Sequence, residues 1–342
     1  MKIANTRNII SRIDEYRAVR ELENTLGMIL NGPVEMDDIV FDAPTELETY
    51  AENFRSHMEK SGISYTEDEA LIASMIITVM NDYTGSDEMP LPAEIMHAII
   101  KESHVFHEGE LESNPYLQNI SLPKGANSGR FEISSADYEQ YEMFHYSTPV
   151  KGPYGIMIPR IGTVDHPFSA PNIKENGVAW MSITPNEIFT MKQPVTEAHG
   201  KVLTLGCGMG YYAYMASLKD DVESITIVEQ SEDVINLFSE YILPQFEHKD
   251  KITIIRADAF EYMESLEDGT YDYCFADIWK GNQDIVPYLK MKQICKKFRQ
   301  MKMSYWIEDS LIATVMGYVF IIMMNTVCDN NNIDMSKERQ YM

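Results

Sequence analysis

The residues whose types and spacing best suit chemistry are Leu205-Gly206-Cys207-Gly208-Met209-Gly210. They close an apolar run, KVLTLG (201–206), and lead directly into a helical pattern that opens with Tyr211-Tyr212. Glycines at such a junction let the chain turn tightly and let the backbone approach a ligand closely. The helix start behind them offers free N–H groups to an anion. Glu229 ends the next strand, ESITIVE (223–229), 23 residues beyond Gly206. A carboxylate at that place can accept both hydroxyls of a ribose. Asp258-Ala259 ends a third strand and Asp277 a fourth, and strand ends of this kind face one crevice. The pattern predicts a nucleoside-containing cofactor. It argues against a dinucleotide, whose GxGxxG fingerprint needs small residues after the second glycine. Here Gly210 comes two residues after Gly208, and two bulky rings follow.

These residues need a rigid frame, and the chain supplies one as a strand–helix alternation. Strands are expected at 201–206, 223–229, 251–258, 271–279 and 304–308, with helices at 211–219, 231–241, 259–265 and from 280 to about 300. Apolar strands separated by helices predict an α/β fold with a doubly wound, mostly parallel, Rossmann-like sheet. The apolar run Leu311–Met324 is 14 residues long, short of the ~20 that a membrane-spanning helix needs. It is expected as a buried core element, a helix capped by Asp309 or Ser310 or in part a strand.

Residues 200–280 resemble the class I S-adenosylmethionine-dependent methyltransferases, with some similarity to the spermidine synthase-like group. LGCGMG matches that family's first motif, Glu229 with Gln230 beside it the ribose-binding acid, Asp258-Ala259 the position at the adenine ring, and Asp277 in FADIW the fourth motif. The resemblance implies S-adenosyl-L-methionine as cofactor, contacted by Gly206, Cys207, Gly208, Gly210, Glu229, Gln230, Asp258, Ala259 and Asp277. It implies methyl transfer to a small-molecule acceptor, with Asp277 catalytic as base or orienting ligand, Tyr211 and Trp279 near the acceptor, and no metal. Upstream, Thr184-Pro185-Asn186-Glu187 forms a capping box. A helix starting there would bring its N–H groups or Ser182 to the cofactor's carboxylate. ADIW is neither the NPPY/DPPY of many amino-group methyltransferases nor a metal-binding acid pair, and spermidine synthases show GGGxG where this chain has LGCGMG. Strands from 154–183 are expected to take the sheet edge that the family fills with a final antiparallel pair. The alternatives are an aminopropyltransferase of the spermidine synthase type and a non-catalytic nucleoside-binding protein.

The remainder of the chain divides by pattern. Residues 1–112 read as an all-helical N-terminal domain. Ile9, Ile10, Ile13, Tyr16, Val19, Leu22 and Leu26 share one face until Gly32-Pro33, and helices follow at about 45–60, 66–81 and 92–102. Thr66-Glu67-Asp68-Glu69 is a capping box. This unit is expected to cap the crevice or pair two copies as a homodimer. Residues 113–198 read as an irregular, β-rich connecting segment with one or two hairpins, including runs at Tyr154–Ile161 and Val178–Ile183. His145 and His166 are expected as structural residues. Residues 199–342 form the cofactor-binding domain.

The charge narrows the partners. With 28 Lys/Arg against 53 Asp/Glu over 342 residues, the net charge is −25, a field that repels a phosphate backbone and argues against nucleic acid. The basic stretch Lys290–Lys302 is expected as a solvated helix face. Cys207, Cys274, Cys295 and Cys328 show no CxxC pairing, which favours neither disulfides nor zinc and points to the cytoplasm. The N-terminus lacks the apolar core of a signal peptide, and no membrane partner is expected.

Overall fold

The structure, a computed structural model, describes residues 44–84 and 91–331. The helix expected over 9–26 and its stop at Gly32-Pro33 lie outside the described residues. Three helices, α1 (Pro44–Lys60), α2 (Glu67–Thr84) and α3 (Ala93–Glu102), form where the apolar spacing predicts. The capping box of α2 closes in both directions: the Glu69 amide donates to Thr66 Oγ1 (3.1 Å) and the Thr66 amide to Glu69 Oε2 (3.0 Å).

The chain then runs through β1 (His104–Phe106), α4 (Pro115–Asn119), β2 (Asn127–Ser128), β3 (Phe131–Tyr138), β4 (Met143–Lys151), β5 (Met157–Val164), β6 (Phe168–Glu175) and β7 (Val178–Ser182). These strands build two small sheets, ordered β2-β3-β6-β7 and β1-β5-β4, where one or two hairpins were expected. Strands such as FEISSADY hide from a hydropathy reading because only alternate residues, Phe131 and Ile133, turn inward. Asn176-Gly177, both with positive φ, join β6 to β7 as a two-residue mirror-image turn. Met143, Ile156, Ile158 and Ile161 share one core with apolar residues of α1–α3, including Met75, Ile76 and Ile99. Neither sheet joins the parallel sheet described next, which corrects the expectation that strands from 154–183 occupy its edge.

After α5 (Pro185–Thr190) and α6 (Lys192–Glu197) comes the alternation itself: β8 (Gly200–Leu205), α7 (Tyr211–Ser217), β9 (Val222–Glu229), α8 (Glu232–Leu237), β10 (Ile252–Arg256), α9 (Ala259–Ser265), β11 (Tyr273–Ala276), α10 (Ile285–Cys295), β12 (Lys302–Tyr305) and α11 (Glu308–Asn331). The five strands pair in the order β10-β9-β8-β11-β12, all parallel. The sheet is buried on both faces, as alternation within each strand requires. Val202, Ile225, Ile227, Tyr273 and Phe275 enter one core, while Leu203, Leu205, Val228, Cys274 and Ala276 enter the other. Each such aliphatic or aromatic side chain contributes about 1.5–3 kcal/mol on burial. Strand order reverses between β8 and β11, so the crevice opens where the glycine-rich turn leaves the sheet.

The apolar run at 311–324 is a helix, and its expected burial is corrected. Leu311 is fully buried, but Met316 is 61% and Ile322 65% exposed. Glu308 at its first turn anchors it, accepting from Tyr288 Oη (2.8 Å) and Lys292 Nζ (2.6 Å). No helix among the described residues is long and apolar enough to cross a membrane.

Candidate functional site

The strand ends are locked to one another by backbone bonds that continue the ladder past the last sheet residues. The Gly206 amide donates to the Val228 carbonyl (2.9 Å), the Asp277 amide to Leu205 (2.9 Å), the Ala257 amide to Glu229 (3.1 Å) and the Trp306 amide to Ala276 (3.0 Å). The first residue after β8, β10, β11 and β12 is therefore as fixed as the sheet. Gly206, Gly208 and Gly210 all adopt positive φ, which L side chains disfavour. A Cβ on Gly206 would stand 2.2 Å from the Asp277 carbonyl oxygen, and one on Gly208 2.2 Å from Met181 Sδ. Gly206 thus lets the turn pass directly over the end of β11. From upstream, Tyr116 Oη donates to the Met209 carbonyl (2.6 Å) and Asn114 Nδ2 to Tyr211 Oη (3.0 Å).

A cavity of about 300 Å³ opens over this turn. Of the residues expected at the site, Gly206, Cys207, Gly208, Tyr211, Glu229, Gln230, Asp258, Ala259, Asp277 and Trp279 line it. Gly210 and Ser182 do not. Gly210 caps α7 with its Cα turned toward the Phe238 ring, and the Ser182 hydroxyl donates to Asn172 Oδ1 (3.0 Å). Glu229 is buried, with Oε2 accepting from the Cys207 amide (3.0 Å) and Oε1 from the Ser231 amide (2.8 Å). A carboxylate has about four acceptor positions, so each oxygen retains capacity for a ligand hydroxyl. Asp258 caps α9, its Oδ1 accepting from the amides of Phe260 (2.8 Å) and Glu261 (3.0 Å).

The far wall comes from Trp180 and Met181 on β7 and Glu187 and Met191 at α5, the stretch whose helix start was expected at the cofactor's carboxylate, and from Trp306 after β12, which the sequence did not single out. Trp306 Nε1 donates to Thr190 Oγ1 (3.0 Å), and Trp279 Nε1 to the Trp306 carbonyl (3.1 Å), so the indoles are held in place. Glu187 is the residue whose expected role changes most. Its amide does donate to Thr184 Oγ1 (3.4 Å), but its carboxyl does not return to the cap. Glu187 Oε2 is sealed from solvent and has no hydrogen-bond partner among the described residues. The capping-box spacing was the signal at this position: it brought the helix start toward the cofactor but assigned the Glu187 carboxyl to the cap.

Two carboxyls in this low-dielectric space hold their protons more tightly than usual. Burial pushes Asp277 up to about 7. Burial, and then the charge of Asp277, push Glu187 well above the carboxylate range. Burial raises the Tyr211 phenol to about 12, so it stays neutral. No group of three or more His, Cys, Asp or Glu among the described residues is arranged to hold a metal ion.

No protein-family model and no curated protein matches the chain. Solved structures do. A spermidine synthase in complex with the transition-state analogue AdoDATO matches at 17% identity and a TM-score of 0.32, over 41% of this chain and 54% of that one. The spermidine synthase of Thermotoga maritima matches at 16% and 0.32, over 42% and 56%. A putative O-methyltransferase from Klebsiella pneumoniae matches at 20% and 0.24, over 29% and 44%. The chain spans about half the length of these structures. The sheet order and the strand-end geometry, not these partial likenesses, carry the assignment of a doubly wound, Rossmann-like fold.

Proposed function

We propose that the chain is an S-adenosylmethionine-dependent methyltransferase acting on a small-molecule acceptor. The observation that carries this reading is a single cavity at the strand switch point that gathers the glycine turn, the Glu229 carboxylate and the Asp277 carboxyl. In this reading Glu229 takes the ribose hydroxyls with its remaining acceptor positions, Gln230, Asp258 and Ala259 border the base, and the turn from Gly206 to Gly208 passes beneath the donor. The chain's own residues fit such a ligand: aromatic walls, a carboxylate with spare lone pairs and Glu187, whose Oε2 is buried without a partner among the described residues, line the cavity. When bound, the donor supplies an already activated methyl group on a sulfonium. The protein's task is then placement and removal of one proton from the nucleophile. Asp277, held at about 7, is matched to that task near neutral pH: its carboxylate would take the proton that the acceptor loses on methylation. Tyr211, Trp279 and Trp306 shield the reacting atoms from water. A cytoplasmic setting accords with the free, buried Cys207, Cys274 and Cys295.

One observation favours a second reading, aminopropyl transfer. Four carboxyl residues line the cavity against one lysine, Lys280, a poor setting for the donor's own carboxylate and a good one for a donor that lacks it. Calorimetric titration with S-adenosylmethionine, its decarboxylated form and NAD separates the readings. Preference for S-adenosylmethionine supports methyl transfer, and preference for the decarboxylated donor supports the second. Binding of NAD alone would remove both.

A further inference from the structure

The cavity holds more negative charge than its own residues answer. Of its four acidic residues, Glu229 already accepts from two amides and Asp258 caps a helix, and Asp277 is assigned to the proton. Glu187 has no such duty: the residue lines the cavity, and its Oε2 is shut off from solvent with no hydrogen-bond partner among the described residues. A buried polar group left unsatisfied costs about 1–3 kcal/mol, and in native proteins such a group calls for a ligand or another compensation. The same cavity is lined by Trp180, Trp306, Trp279 and Tyr211, and aromatic ring faces attract positive charge.

We propose that Glu187 binds the positive charge of the ligand, either the sulfonium of the donor or an ammonium of the acceptor, and so makes the cavity select cationic over neutral ligands. The inference rests on the transferase reading and names the charge selectivity of that same site. The titratable groups that act on or with Glu187 are Asp277 after β11 and Tyr211 on α7, and Lys280 lines the same cavity. With no cation present, burial and the like charge of Asp277 keep a proton on the pair. A cation reverses the balance and favours the carboxylate. Binding the sulfonium donor therefore releases up to one proton, whereas the neutral thioether product releases none. The product then loses the contact that held the donor, and leaves.

The test is calorimetry of S-adenosylmethionine and S-adenosylhomocysteine on wild type and Glu187→Gln, at pH 6 and pH 8. Wild type is expected to prefer the sulfonium by about tenfold or more at pH 8 (~1.4 kcal/mol) and by less at pH 6. In Glu187→Gln that preference should collapse. A third titration, of propylamine into the S-adenosylhomocysteine complex, separates the two cations: loss of amine binding in Glu187→Gln, with the nucleoside preference intact, assigns the ammonium. Nucleoside preference and amine binding both unchanged in the variant would overturn the inference while leaving the transferase reading standing. Failure of both nucleosides to bind wild type overturns the inference together with the methyl-transfer reading. Should the variant not fold, wild type titrated in two buffers of different ionisation enthalpy gives the same answer. Greater proton release with the sulfonium than with the thioether, or proton release on adding propylamine to the S-adenosylhomocysteine complex, supports the proposal, and the absence of both refutes it.

Discussion

Asp277 sits where burial opposes its charge, and that has a consequence for stability as well as chemistry. Its carboxyl is held at about 7 in the native state, while in the unfolded chain it titrates near 4. Between those values the native protein binds more protons than the unfolded one, so this residue's contribution to stability is present below the lower value and is lost as pH rises through the higher. Asp277→Asn should therefore melt at a higher temperature than wild type at pH 8, by the equivalent of a few kcal/mol on the order of 1.4 per pKa unit. The gap should close toward pH 4. Parallel melting-temperature profiles for the two proteins would contradict this. Glu229 behaves differently because its carboxylate is already bonded. Glu229→Ala leaves the Cys207 and Ser231 amides without their acceptor, a loss of ~2–3 kcal/mol in urea unfolding, together with weaker S-adenosylmethionine binding by calorimetry. An unchanged urea midpoint would mean that the carboxylate serves a ligand alone. The acidic residue at the end of the second strand is legible in the sequence. Its double duty toward the turn is not, since backbone amides leave no trace in residue type.

Within the elements, the glycine turn separates positions that look equivalent in the sequence. Gly206 and Gly208 both have positive φ, but a methyl on Gly206 would meet the Asp277 carbonyl oxygen, which the sheet holds, whereas one on Gly208 would meet the Met181 thioether, which can swing aside. Gly206→Ala is expected to destabilise by ~3 kcal/mol or more and Gly208→Ala by ~1–2 kcal/mol, measured by chemical denaturation. The reverse order would show that the turn, not the strand end, is the rigid part. The parallel strands, α1–α3 and the box at Thr66–Glu69 were legible because continuous apolar runs, helical periodicity and reciprocal capping are local signals. The pairing of the two small sheets was not, because β3 buries only alternate residues at its start and the strands are paired over long separations, such as Phe131 with Glu175 and His104 with Gly162. Glu187 was concealed for a related reason: a capping spacing says where a helix starts, not where the third side chain turns.

Across the molecule, the three helices are not a detachable cap in packing terms. Their apolar residues share a core with β4 and β5, and β1 pairs with β5. Removing residues 1–112 would expose Met143, Ile156, Ile158 and Ile161, each no more than 1% accessible in the whole chain. The truncated protein is expected to aggregate in size-exclusion chromatography, and a stable monomer would instead support residues 113–342 as an independent unit. The division of the chain at 112 and 198, and the pairing of two copies, remain proposals; the exposed side chains of α11, among them Ile312 and Met316, are one surface such pairing would cover. The buried thiols add an experimental handle of another kind. Cys207 lies in the turn itself, its amide tied to Glu229, while Cys274 is on the buried strand β11 and Cys295 at the end of α10. Burial raises all three thiols above their ordinary range, so a thiol-specific reagent reacts at each only when that layer opens and a thiolate forms. Peptide-resolved labelling kinetics therefore act as three clocks built into the native sequence. If the turn is the gate of the cavity, Cys207 runs fastest in the free protein and slows on saturation with S-adenosylmethionine, while the clock at Cys274 keeps the pace of global unfolding.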